Sequence, residues 1–135
     1  MSTPGTAVLA RATFSARAFA VYVFVMAAVL VCVPNLLLAA FGIPPTAEVW
    51  IRVTGVLACM IGVYAWVGAA HRPFLQASVY TRATVFVALT AFALLGLGSP
   101  MLALFGAVDL CGGLWTYFAL RADDRAAMPA LAVRS

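Results

Sequence analysis

An aspartate near the middle of a long apolar run is the residue in this chain whose chemistry most needs explaining. Asp109 lies among leucine, valine, alanine and glycine. A carboxylate at the centre of a membrane helix costs about 2.5–3.5 kcal/mol even on the forgiving insertion scale, so it must face other helices and either meet a cation or carry a proton. Gly106, Asp109, Gly113 and Thr116 recur at helical spacing, which projects the carboxylate from a face of small residues where a neighbouring helix can approach closely. Arg52 is the expected partner. It begins a second small-residue stripe, Arg52, Gly55, Cys59, Gly62 and Ala69, and Glu48 stands one helical turn before it. Counted from the end at which both segments enter, Arg52 lies about 5 Å deep and Asp109 about 12 Å deep, a difference a guanidinium can span. The spacing therefore predicts a polar cluster of Glu48, Arg52 and Asp109. Arg82 enters from the opposite end and is expected to snorkel to the headgroups there, with pairing to Asp109 as the less favoured alternative because of depth. Such a cluster either fixes helix register as a structural ion pair or passes a proton, ion or small solute.

Other candidate chemistry is thinner. Cys32, Cys59 and Cys111 fall in three different apolar runs, without a CxxC pair and odd in number, so neither a disulfide framework nor a zinc site is expected. Thiol or quinone redox chemistry would rest on these three alone. The single histidine, His71, cannot supply bis-histidine haem ligation, and beside Arg72 it reads as a solvated loop residue. No phosphate-binding glycine loop, nucleophile elbow or zinc-protease signature is present, so no catalytic residue, metal or cofactor is expected.

The elements that must position these residues follow from composition. Of 135 residues, 66% are hydrophobic and 9% charged, against roughly 45–50% and 25% in soluble domains. Four acidic and eight basic side chains cannot cover a water-facing surface of this size. The mean hydropathy of +1.10 is that of a lipid-facing exterior. Four apolar runs, at about residues 18–40, 49–70, 79–98 and 101–120, are each long enough for a span of about 20 residues. Gly42-Ile43-Pro44-Pro45, His71-Arg72-Pro73 and Gly98-Ser99-Pro100 separate them. Connections this short predict an all-α, polytopic membrane protein, an antiparallel up-down four-helix transmembrane bundle forming one domain. Within the first run the helix either kinks at Pro34 or ends near Val33, leaving a short separate helix. That run follows basic residues as a signal peptide does, but no convincing cleavage site follows, and it is expected to be retained. Residues 1–10 and 122–135 are expected to be flexible tails.

All eight basic residues are arginines, at 11, 17, 52, 72, 82, 121, 125 and 134, and most sit at the edges of the apolar runs. Positive charge biased to alternate loops puts both termini and the middle loop in the cytoplasm. Trp50, Trp66, Tyr80, Trp115 and Tyr117 fall where an interfacial aromatic belt belongs. No basic stripe interleaved with aromatics is present, which excludes nucleic acid as a partner.

Several segments resemble the BphX-like proteins, a bacterial family of small four-helix membrane proteins. The similar stretches are Phe41-Gly42-Ile43-Pro44, Glu48-Val49-Trp50-Ile51-Arg52-Val53, Arg82 with Val85-Phe86, Phe105-Gly106-Ala107-Val108-Asp109, and Trp115-Thr116. They are distributed between Phe41 and Arg121. A fainter similarity extends to the wider DoxX-like group. The resemblance implies a four-helix fold in a bacterial inner membrane and brings no activity with it. The leading expectation is a non-enzymatic accessory or structural subunit, with the lipid bilayer and a homo-oligomer or membrane-protein partner as its contacts. The Gly55, Gly62, Gly106 and Gly113 stripes would serve helix packing. The alternative is a small oligomeric transporter or channel using Asp109 and Arg52.

Overall fold

The computed structural model describes residues 9–132, which form five helices and, among the described residues, no strand. Helix α1 covers Ala10–Cys32, α2 Pro34–Ala40, α3 Trp50–Gly68, α4 Arg72–Leu94 and α5 Met101–Ala132. All but α2 are long and apolar enough to cross a membrane.

The boundaries have local causes. Proline has no N–H to donate and its ring collides with the preceding turn, but it is well placed in the first turn of a new helix. At Pro34 this ends α1 at Cys32, with Val33 as the non-helical hinge, and starts α2. The first apolar run is thus broken rather than kinked. Pro73, at the start of α4, lets that helix begin at Arg72, well before the apolar stretch. Gly42 and Gly96 hold φ of +64° and +70°, a region open to glycine at little cost, and they turn the chain just after α2 and α4. Residues 95–98, expected within the third span, therefore lie outside a helix. So does Val49, and Ala69 and Ala70 follow the end of α3.

At the other end of the chain, α5 runs on through Ala132, so residues 122–132, expected as part of a flexible tail, are helical. Residues 121–127 contain no glycine or proline, and their alanines and arginines are strong helix formers. Of the expected N-terminal tail, Leu9 forms a turn and Ala10 is helical, whereas residues 1–8 and 133–135 lie outside the described residues.

Helix α1 is the hub. It packs against α3 on one side and α5 on another, and α5 in turn packs against α4. Glycines set the closest approaches. On α3, Gly55 lies against Ala27, Leu30 and Val31, and Gly62 lies against the Phe24 ring. On α5, Gly106 meets the Phe86 backbone, and Gly113 meets Arg82 and the Val79 carbonyl. A Cβ at Gly106 would lie 3.0 Å from the Phe86 Cα, so a side chain there would press α4 and α5 apart. The apolar core sits at the end where α1 begins, called the base below. Leu9, Ala12, Ala16, Ala69, Leu75, Ala119 and Leu120 close it, with residues from α1, α4 and α5 joined by Leu9 just before α1 and Ala69 just after α3. Away from the base the helices are thinly covered. Only 28% of the most apolar stretch of α1 is buried, and less of the others.

Candidate functional site

The Glu48–Arg52–Asp109 cluster is not assembled. Helices α3 and α5 share no substantial interface, so the Arg52 and Asp109 stripes do not face each other. Glu48 is exposed in the α2–α3 connection, where its backbone N–H donates to the Thr46 hydroxyl. Arg52 has another task. Because α1 stops at Cys32, its last carbonyls lack intrahelical partners. The Arg52 guanidinium donates through Nη1 to one of them, the Val31 carbonyl. A cation at a helix C-terminus also meets the negative end of the helix dipole. This explains why Arg52 turns toward α1 rather than toward α5.

The residue brought toward Asp109 is Arg82. Far from snorkelling to an end of the molecule, it is 4% exposed in the interior where α1, α4 and α5 meet. Depth had argued against this arrangement, and the structure removes the objection. Because α4 begins at Arg72, Arg82 lies in mid-helix, level with Gly112 and Gly113 and about one turn from Asp109. The guanidinium carbon sits 3.5 Å from the centroid of the Phe19 ring. A desolvated cation over an aromatic face gains about 2 kcal/mol. Its Nη1 donates to the Thr116 hydroxyl at 3.4 Å. That hydroxyl is 3.1 Å from the Gly112 carbonyl and 3.1 Å from the Ser15 hydroxyl, and Ser15 also reaches the Ala12 carbonyl at 2.8 Å. The Arg82 Nε is buried without a hydrogen-bond partner. Asp109 and the Tyr22 hydroxyl lie within electrostatic reach, yet Asp109 and Arg82 are more than the 4.0 Å of a contact ion pair apart.

Glycine makes this arrangement possible. A Cβ on Gly112 would fall 3.0 Å from the Arg82 Nη1, so the missing side chain there is the space the guanidinium occupies. The polar layer is thus Ser15 and Phe19 from α1, Arg82 from α4, and Thr116 with Asp109 from α5. Sequence spacing had marked Asp109, Thr116 and Arg82 but not Ser15 or Phe19. Both occupy positions in the first apolar run that look like ordinary filling.

A second polar group ties the base together. Asp123 is 5% exposed, and its carboxylate accepts the backbone N–H groups of Ala12 at 3.0 Å and Arg11 at 3.4 Å. It caps α1 from another helix, since α1 has no side-chain cap of its own. The Thr13 hydroxyl donates to the Ala69 carbonyl at 2.9 Å, satisfying the end of α3. Next to it, the Arg72 guanidinium donates to both Asp124 oxygens at 2.6 and 2.8 Å. Helix α1 therefore has an anion from α5 at its N-terminus and a cation from α3 at its C-terminus.

The remaining candidates stay apart. Cys32 and Cys111 are exposed, Cys59 is half-buried, and none is paired. His71 is exposed in the turn between α3 and α4. Among the described residues no group of histidine, cysteine and carboxylate side chains is arranged to hold a metal. Comparison with family models, curated proteins and solved structures finds no match for this chain.

Proposed function

We propose that the protein is a four-helix integral membrane subunit, with an up-down antiparallel arrangement of α1, α3, α4 and α5 and both termini in the cytoplasm. It acts through helix contacts rather than as an enzyme. The bacterial inner membrane implied by the BphX-like resemblance is part of this reading. Antiparallel pairing is supported by contacts whose numbering runs in opposite senses, Gly55 with Val31 and Gly62 with Phe24, then Gly106 with Phe86 and Gly113 with Val79. The orientation is supported by the base, where the segments bearing Arg11, Arg72 and Arg121 come together.

The observation that carries the subunit reading is the uneven packing of the helices. Consecutive helices α3 and α4 form no extended interface and are served by α1 and α5 respectively. Their remaining apolar surface, including Trp50, Tyr64, Val67, Val87 and Leu94, stays exposed and can be covered by lipid or by the helices of another protein. The test is purification at native expression in mild detergent. A stoichiometric membrane partner, or a second copy, is the expected result; a stable monomer that never carries one refutes the subunit role.

A second reading, a small oligomeric transporter of a proton, ion or small solute, is favoured by the buried Arg82 beside Asp109. Here Arg82 takes the part that spacing had assigned to Arg52. Uptake into reconstituted vesicles should then fall sharply with Asp109→Asn, and unaltered uptake in that variant removes Asp109 from any pathway.

A further inference from the structure

We propose that the base carries a binding site for the phosphate of an anionic phospholipid, in a groove between α4 and α5. This rests on the membrane reading above. The groove has a volume of about 350 Å³, within the range of about 300–1,000 Å³ typical of small-molecule sites. Arg72, Gln76 and Tyr80 line it from α4, and Tyr117, Arg121 and Asp124 line it from α5. No residue of α1 or α3 contributes, so it faces away from the hub.

Charge and level choose the occupant. Asp124 would repel a phosphate, but both its oxygens are engaged by Arg72, and that pair is neutral as a unit. What remains is the charge of Arg121, whose guanidinium carbon lies 4.9 Å from the centroid of the Tyr117 ring. Among the described residues no carboxylate lies within ion-pair distance of it. Stacking fixes the guanidinium while leaving its edge donors free, and a guanidinium edge matches the geometry of a phosphate. The groove is also amphipathic along its length. Arg72, Leu120, Arg121 and Asp124 line its end nearest the base, and Val79 with the Tyr80 and Tyr117 rings lines it farther toward the middle of the molecule. Tyr117 lies one helical turn inward of Arg121, where an amphipathic ring beside a headgroup belongs. A basic pocket between helices at the cytoplasmic side, with apolar surface leading away from it, fits a headgroup whose acyl chains follow the helices.

The experiment is lipid retention by the full chain. Protein would be reconstituted in phosphatidylcholine vesicles with and without phosphatidylglycerol, extracted gently, and its bound lipid counted by native mass spectrometry. One retained phosphatidylglycerol per chain, saturable and preferred over phosphatidylcholine, is expected. Arg121→Gln should weaken that retention at least about tenfold, the loss of one charge-assisted contact, while Arg121→Lys restores part of it. Arg17→Gln, an exposed arginine stacked on Trp66 away from the groove, should leave the single lipid in place. Equal losses from the Arg17 and Arg121 variants would mean general surface attraction and overturn the site. Displacement by inorganic phosphate at matched concentration would mean a soluble anion site and overturn the lipid assignment. Vesicles that incorporate the protein but show no lipid preference overturn the groove alone, whereas failure to incorporate at all overturns the membrane reading with it.

Discussion

At the scale of single residues, identical side chains do opposite work according to what surrounds them. Asp123 and Asp124 are neighbours in sequence, yet one is buried at the N-terminus of α1 and the other forms a half-exposed ion pair. A carboxylate accepting backbone N–H groups at a helix start contributes about 1 kcal/mol, whereas an exposed pair contributes about 0–1 kcal/mol. Asp123→Ala should therefore lower the thermal unfolding midpoint in detergent by several degrees, and Asp124→Ala should move it little. Equal effects would mean that Asp123 does not cap α1. The arginines divide in the same way. Arg52 satisfies a helix end, whereas Arg82 is held inside by an aromatic face and a hydroxyl. Arg82→Met should disturb the α1–α4–α5 junction more than Arg52→Met disturbs the end of α1. Unfolding of the two variants followed side by side would show it, and an equal or reversed order would remove Arg82 from the core.

Among the elements, the break between α1 and α2 and the glycine contact between α4 and α5 make separable predictions. Pro34 lacks the donor that the Leu30 carbonyl would need to continue the helix, and its ring crowds the preceding turn, which together place the hinge at Val33. With Pro34→Ala the two helices should join, lengthening the distance between spin labels at Ala28 and Ala40. An unchanged distance would mean that tertiary contacts impose the hinge. Gly106 touches backbone rather than a movable side chain, so Gly106→Leu forces α4 and α5 apart. Overpacking of this kind costs about 1–3 kcal/mol, and the variant should unfold more readily than Gly42→Leu, whose cost is confined to backbone strain at an open position.

For the molecule as a whole, the thin coverage of four apolar helices predicts behaviour more than any residue does. A chain with this much apolar surface should remain with membranes through an alkaline wash and need detergent for extraction. Phosphatase fused after Ser135 should be inactive, and the same enzyme inserted between Gly42 and Glu48 should be active. The reverse pattern would invert the orientation, and recovery in the aqueous supernatant would end the membrane reading.

What the chain alone determined is the set of properties that depend on composition and local chemistry. Four long apolar helices follow from 66% hydrophobic residues interrupted by proline and glycine. Pro34, Gly42 and Pro73 marked real boundaries because their backbone restrictions act within one turn. The small-residue faces were legible too, since helical periodicity shows which residues share a face. It does not show which helix that face meets. The pairing of α1 with α3 and of α5 with α4 decided that Gly55 closes on Leu30, that Arg52 reaches Val31, and that Arg82 rather than Arg52 approaches Asp109. Asp123 was illegible for the same reason. The N–H groups it caps are 111 and 112 residues away, beyond the range over which spacing carries information. Local rules act through neighbours in sequence, whereas charge placement in this molecule is decided by neighbours in space.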